Sequence, residues 1–317
     1  MRTRTFGPLG SVSALTLGGG GLGQVWGVTT RDEAVATVRE AVDSGITVLD
    51  MAPIYGRDGE AERVIGEAFD GRLPDGVRVT TKCMLGNPPP AEVYQRLADS
   101  LSASLERMRL TRVDVMILHG MIDASAREGA TTSVSLRNFR EAVVPAFERL
   151  RREGRIGAWG ITGVGRPNDI RDVLTNGPRP AVVQCIANVL DSPGGMQRFE
   201  EPARPREIIA AAAANGVGVM GIRAVAAGSL TDTLDRELPS DGPEWRDFHR
   251  AAPLRALAQA RGVSAAYLAH QYALSMPGVS TVVLGVKNRA ELRECLAAEA
   301  AGPLESGTWA SLDALRS

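Results

Sequence analysis

The sequence predicts a parallel (β/α)8 barrel. Three observations point to it. Eight short β-rich runs recur over about 280 of the 317 residues. Most are separated by a stretch of helical periodicity, the pattern of repeated strand–helix units. The runs are also apolar on both faces, as expected when helices cover the outside of a sheet and side chains fill the inside.

In chain order, Arg4 to Val12 precedes the alternation and is expected to form a hairpin that plugs the barrel bottom. The first strand is Ala14–Leu17. Thr30 caps a helix over Arg31–Ser44, which Gly45 stops. Ile46–Asp50 and Val77–Lys82 are the second and third strands, and a helix over Ala91–Met108 follows. Val113–His119 is the fourth, and helix Arg140–Glu153 ends at Gly154. Ile156–Ile161 comes next, then a helix for which Asn168 reads as the N-cap. The sixth strand is Ala181–Gln184, with helix Arg206–Asn215 ended by Gly216. The last two strands are Val217–Ile222 and Thr281–Leu284, and Arg289–Ala300 is the final barrel helix. Pro303 to Arg316 is left over and reads as a helix on the outside. No linker or internal repeat divides the chain, so residues 1–317 are expected to form one domain.

Two connections are too long to be mere links: Gly120 to Asn138 and Arg223 to Ala252. Both leave the C-terminal ends of strands, the face on which barrel enzymes build their sites.

Composition narrows the function. Hydrophobic residues at 44% and charged residues at 23% are those of a soluble globular protein. A net charge of -1 gives no electrostatic basis for binding nucleic acid or an anionic membrane. No apolar run is long enough to span a bilayer, and Met1 to Phe6 has no apolar signal core. Cys83, Cys185 and Cys295 are widely spaced and odd in number, which argues against a disulfide frame or a zinc site. A reducing, cytoplasmic setting is expected.

Lysine usage marks the chemistry. Of 36 basic residues only Lys82 and Lys287 are lysine; the rest are arginine. An ammonium is a compact point charge that perturbs neighbouring pKa values, whereas a guanidinium is a wide fork that stays charged. Lys82 closes the third strand. Asp50 ends the second, Tyr55 lies just beyond it, and His119 ends the fourth. Ends of neighbouring strands lie about 5 Å apart, so the four side chains are expected to meet. A phenol alone is too weak an acid for neutral pH. A cation within ~4–6 Å lowers its pKa. Lys82 supplies that cation, Asp50 holds Lys82, and His119 can hydrogen-bond a carbonyl oxygen. The expectation is a tuned proton donor beside an oxyanion site.

The string Gly18-Gly19-Gly20-Gly21-Leu22-Gly23 fits a dinucleotide-binding GxGxxG. In that motif the last glycine opens a helix whose N-terminus meets the pyrophosphate. Here Gln24 to Thr30 intervene before the helix at Arg31, so that fold is rejected. The glycines are expected instead to let the backbone approach a ligand at the barrel mouth.

In order and spacing, Asp50, Tyr55, Lys82 and His119 resemble the catalytic tetrad of the aldo-keto reductases. Leu49 to Gly56 is similar to the family's strand-two signature. Leu284-Gly285-Val286-Lys287-Asn288-Arg289, with Glu294 behind it, is similar to its adenosine-phosphate motif. Gln184 with Asn188 resembles its carboxamide-contact strand. The resemblance covers nearly the whole chain. It implies a (β/α)8 barrel that binds an extended nicotinamide cofactor and moves hydride between it and a carbonyl or alcohol. Tyr55 is then the acid, Lys82 and Asp50 tune it, and His119 orients the carbonyl. It assigns Thr162, Gly163, Gln184, Arg223, Gly285, Lys287, Asn288, Arg289 and Glu294 to the cofactor. Lys287, Asn288 and Arg289 past the last strand suit a 2′-phosphate, so NADP(H) is expected over NAD(H). Trp26, Met51, Ile54 and Leu85, with the two long loops, are expected to line the substrate pocket.

Departures from the family pattern set the rivals. Where the family has Ser-Asn after the fifth strand, this chain has Thr162-Gly163, a version that resembles members oxidising free sugars. The stacking tyrosine after the seventh strand is replaced in the Ile222-Arg223 region, and Cys295 stands where an Asn often follows the late glutamate. A carbonyl reductase is the leading reading, and an aldose 1-dehydrogenase the rival. A Schiff-base aldolase on Lys82 and a cofactor-binding regulatory subunit are the remaining readings.

Overall fold

Strand-end polar residues can share a site only if the strands close on one another, and the computed structural model, which describes residues 1–234 and 236–316, shows that closure. Asp235, in the second long loop, and Ser317 lie outside the described residues.

The chain starts with a hairpin of β1 (Thr3–Thr5) and β2 (Ser11–Ser13), paired antiparallel. Next come β3 (Leu15–Gly18), β4 (Val48–Asp50), β5 (Arg78–Cys83) and β6 (Val113–Leu118). A small ribbon, β7 (Met121–Ile122) with β8 (Ser133–Val134), lies inside the first long loop. The series ends with β9 (Ile156–Thr162), β10 (Val182–Ile186), β11 (Gly218–Ile222) and β12 (Thr281–Leu284). The closed barrel runs β10-β11-β12-β3-β4-β5-β6-β9, every pairing parallel. Each of the eight expected runs is one of these strands, within about two residues at either end.

The hairpin does plug the bottom. Phe6 is buried among Val48, Val115, Val182 and Met220, residues of four different barrel strands. The C-terminal helix, Ser306–Asp313, packs outside, with Trp309 stacked on Tyr272 at 4.4 Å. Thr30 caps helix Arg31–Asp43 by accepting from the Glu33 amide, as expected. Asn168 does not cap its helix. Pro167 is already the first helical residue of Pro167–Thr175, with Arg166 before it. A proline at that position costs no hydrogen bond and arrives with the right φ, so it starts the helix earlier.

Both long connections carry regular structure among the described residues. The first carries the β7–β8 ribbon. Asn87 and Asn138 tie it down, with Asn138 Nδ2 donating to Asn87 Oδ1 at 2.9 Å and to Pro88 O at 2.8 Å. The second carries helix Pro243–Arg250 and a turn over Ala226–Gly228.

The glycine run is a helical turn over Gly19–Leu22 set directly on β3. At Gly21 and Gly23 the tight contacts are with protein backbone, which corrects the ligand-approach expectation for these two members. A β-carbon at Gly21 would collide with Val286 O, and one at Gly23 with Tyr55 O. The run lets the first loop press against the ends of β12 and β4, and so helps set where Tyr55 sits.

Candidate active site

Asp50 is the last residue of β4 and Lys82 the fifth of β5. Their strands pair with Asp50 opposite Thr80, which brings both side chains into the barrel interior. Asp50 is 1% exposed and Lys82 0%. Lys82 Nζ donates to Asp50 Oδ2 at 2.8 Å and to Met51 O at 2.8 Å. Thr80 Oγ1 donates to the other Asp50 oxygen at 2.6 Å, and Gln184 Nε2 donates to Oδ2 at 2.9 Å. An ion pair this deep repays its desolvation only when the remaining lone pairs are also filled. Here they are, by Thr80 and Gln184.

Tyr55 stands above this pair. Lys82 Nζ is 4.6 Å from its ring centroid. His119 meets the ring edge-on, with centroids 5.9 Å apart and planes at 84°. The structure therefore brings the four sequence-predicted residues together.

Their electrostatics differ from the expectation in one respect. Tyr55 keeps some exposure toward the cleft, yet burial is the largest influence on its phenol and pushes it above its ordinary value. Lys82 pulls it down and Asp50 pushes it up again. The attraction of Lys82 was expected to win; desolvation outweighs it. Burial by itself would also push the Lys82 ammonium down, but Asp50 and then Tyr55 reverse that, and it sits above its ordinary value. His119 is pushed down to about 3, by burial first and by Lys82 second. It is a neutral imidazole at any physiological pH. Among the described residues its Nδ1 is buried without a hydrogen-bond partner. Nε2 is then the nitrogen open to the cleft, and it can present a hydrogen to a ligand oxygen.

A cleft of about 420 Å³ opens over this cluster. Its wall includes Asp50, Tyr55, His119, Thr162 and Gln184, and elsewhere Lys287, Glu291, Glu294 and Cys295. Besides His119 Nδ1, two buried polar atoms of its lining residues lack partners among the described residues: Thr162 Oγ1 and Arg223 Nε. Such atoms are costly unless a ligand satisfies them. Arg223 has φ +59, as do its neighbours Ala226 and Ala227 in sign (+46 and +55). Non-glycine residues in that region store strain and cluster at ligand sites.

Other expected site residues are placed less simply. Gly285 lines the cleft, whereas Gly163, Asn288 and Arg289 do not. Asn288 is spent as a helix cap, accepting from the Glu291 amide at 2.9 Å. Arg289 is held by Glu33, with Nη2 2.9 Å from Oε2. Its pull, mainly through these hydrogen bonds, keeps the Glu33 carboxyl below its usual range. Asn188 also has structural work, donating to Ser192 O at 2.9 Å and Arg223 O at 3.2 Å. Trp26 lines the cleft, over Gly20 and Gly285. Met51, Ile54 and Leu85 do not. Met51 is fully buried beneath Gly19, Ile54 is 48% exposed, and Leu85 borders a separate depression with Asn87 and Pro88.

Cleft residues missed in the sequence include Glu291, His270 and Ser264. His270 reaches the cleft, with Nδ1 2.8 Å from Ala266 O and Nε2 3.6 Å from Cys295 Sγ. Ser264 bonds Glu294. Glu291 had a signal in its spacing: it stands three residues after the capping Asn288, where a capping-box acid belongs. Among the described residues no group of His, Cys, Asp and Glu suits a metal ion, and no helix is long and apolar enough to cross a membrane.

Known proteins resemble this chain in sequence and fold. A family model described as aldo/keto reductase family matches residues 14–317. L-galactose dehydrogenase of Arabidopsis thaliana is 29% identical over 289 residues, covering 90% of this chain and 84% of the relative. Among solved structures, an aldo-keto reductase from Bacillus halodurans in its holo form superposes with a TM-score of 0.74 at 24% identity, over 99% of this chain and 96% of the other. An aldo-keto reductase from Klebsiella pneumoniae in complex with NADPH superposes with a TM-score of 0.70 at 24% identity, over 100% and 96%.

Proposed function

The chain belongs to the aldo/keto reductase family, and from that premise we propose that residues 1–317 act as one NADP(H)-dependent oxidoreductase unit that interconverts a small carbonyl compound and its alcohol. The observation that carries this reading is the buried Asp50–Lys82 pair beneath Tyr55 and His119. Such a pair fixes one buried cation against one phenol at the floor of a cleft, which suits proton transfer rather than structural support.

The cofactor, when bound, supplies or accepts the hydride. The protein does the rest. His119 Nε2 and the Tyr55 hydroxyl both hydrogen-bond the carbonyl oxygen. As negative charge grows on that oxygen, Tyr55 hands over its proton and becomes phenolate. Lys82, held as an ammonium by Asp50, stabilises the phenolate formed. In the oxidative direction the Tyr55 phenolate takes the proton from the alcohol. The unsatisfied Thr162 and Arg223 atoms support a polar cofactor headgroup near Tyr55. Lys287 and Glu294 in the cleft wall support an adenosine end. The NADPH complex of the Klebsiella pneumoniae relative is consistent with the same cofactor here. The three buried free cysteines support a reducing, cytoplasmic setting.

A second reading has its own support. Thr162-Gly163 and the likeness to L-galactose dehydrogenase favour oxidation of a free sugar at its carbonyl carbon. One experiment separates the two. Purified protein is assayed with NADPH against aldehydes and ketones, and with NADP and NAD against a panel of aldoses. Faster turnover of aldehydes supports the carbonyl reductase, and faster turnover of aldoses the sugar dehydrogenase. No turnover in either direction would sink both and leave the regulatory-subunit reading.

A further inference from the structure

We propose that Glu291 sets the enzyme's choice between a 2′-phosphate and a 2′-hydroxyl on the cofactor, opposing the phosphate and making NAD(H) a competent second cofactor. The inference rests on the nicotinamide-dependent reading above and concerns the same cleft.

Its basis is local. Lys287 is the one expected phosphate-binding side chain that lines the cleft, since Arg289 is bound to Glu33 and Asn288 caps its helix. Lys287 is in turn engaged by an acid in the same wall. Glu291 Oε1 lies 3.3 Å from Lys287 Nζ, and Glu291 Oε2 accepts from the Lys287 amide at 2.8 Å. Asn288 Nδ2, 3.5 Å from Oε1, holds the carboxylate from a third side. Lys287 is itself fixed in direction. Its carbonyl accepts from Thr29 Oγ1 at 2.7 Å, and its Cδ lies over Gly27. The carboxylate is therefore built into the place where Lys287 points.

The two cofactors meet it differently. A 2′-hydroxyl is a hydrogen-bond donor, and a carboxylate accepts from it in a charge-assisted bond. A phosphate monoester carries about −1.5 to −2 charges at pH 7 and no hydrogen to offer. It would have to displace Glu291 from Lys287 or sit beside a like charge. Repulsion of that kind is how a site rejects one of two near-identical ligands.

Glu291 also has a structural use, because its side chain reaches back to the amide ahead of the helix, much as in a capping box. The test separates the two uses. Glu291→Gln keeps an oxygen that can accept from the Lys287 amide and removes only the charge. Dissociation constants of NADPH and NADH are measured by fluorescence titration for the wild type, Glu291→Gln and Glu291→Ala. The expected result is that Glu291→Gln tightens NADPH about tenfold while NADH is unchanged or weaker. Glu291→Ala should shift the ratio the same way with some loss in both. A ratio that moves less than twofold in both variants, or equal weakening of both cofactors, would overturn the proposal and leave Glu291 as a cap. Binding of neither cofactor by the wild type would instead bring down the nicotinamide reading itself, and this inference with it.

Discussion

The Lys82 ammonium lies 4.6 Å from the centroid of the Tyr55 ring, and Lys82 itself is wholly buried. Nothing about packing requires a charge there. An apolar side chain would fill the barrel interior without the cost of desolvating an ion. The position makes sense if the charge acts on the phenol. Asp50 has the matching role, filled on Oδ2 by Lys82 and Gln184 and on Oδ1 by Thr80.

Tyr55→Phe is expected to lower turnover by about 10²–10⁴-fold, the usual worth of a positioned acid. The ring, its edge contact with His119 and its loop all survive the change. Cofactor dissociation constants should therefore stay within about threefold. Steady-state kinetics together with a binding titration check both halves. A variant that keeps a tenth of wild-type turnover would remove Tyr55 from the proton-transfer role.

Lys82→Arg should be nearly as damaging as Lys82→Met. The chain uses arginine almost everywhere else, so the tolerance of this site for it is a direct test. Lys82 is 0% exposed and its Nζ is pinned to Asp50 Oδ2 and Met51 O, both at 2.8 Å. A planar five-donor fork cannot reproduce a point charge in that space. Normal turnover of Lys82→Arg would show that only a positive charge is needed.

The pH dependence follows from the directions of the three shifts. Reduction needs a protonated phenol, and the Tyr55 phenol sits above its ordinary value of 10.0. His119 stays neutral down to about 3. Reductive turnover should therefore be flat from about pH 6 to 9, and oxidative turnover should rise toward alkaline pH as the phenolate becomes available. A limb with a midpoint near 7 in either profile would overturn this assignment. The same histidine affects stability. Its pKa falls on folding, so between 6.5 and about 3 the unfolded chain holds the extra proton. The contribution is complete above 6.5 and is lost as the pH drops through that window. His119→Asn should lose less stability than wild type between pH 7 and 4.5, as measured by urea unfolding.

The barrel was legible because each strand run is short, apolar on both faces and followed by helical spacing, a pattern few other architectures produce. The Asp50, Tyr55, Lys82 and His119 cluster was legible because strand ends in a closed barrel must converge, and because lysine is so rare in this chain. Facts that depend on distant partners were hidden. Arg289 looks free beside Lys287 in sequence, and only the fold brings Glu33 to it from 256 residues away. Which way a residue faces just past a strand end depends on the loop's path. Met51 accordingly turns down under Gly19, and Leu85 turns away from the cleft. The balance on the Tyr55 phenol was hidden for a related reason. A sequence names the cation next to it, but the amount of water removed is a property of the whole mouth.

A second charge pair, with its carboxylate buried and its guanidinium partly exposed, supports the site from behind. Glu62, on the helix Glu60–Phe69 that follows the Tyr55 loop, is 0% exposed. It accepts from Thr81, the neighbour of Lys82 on β5, and from Arg107 Nε at 2.6 Å. Arg107 comes from helix Pro90–Met108, so one carboxylate joins three elements around the Tyr55 loop. Removing the cation alone strands a buried anion with a single hydroxyl donor. Arg107→Met is therefore expected to destabilise the protein by about 3–5 kcal/mol. Glu62→Gln added to it should recover part of that loss, because an amide needs no counter-charge and still accepts from Thr81. Chemical unfolding of the wild type, the single variant and the double variant measures both effects. If Arg107→Met costs less than about 1 kcal/mol, or if the second change deepens the loss, the carboxylate is not held in place by that arginine.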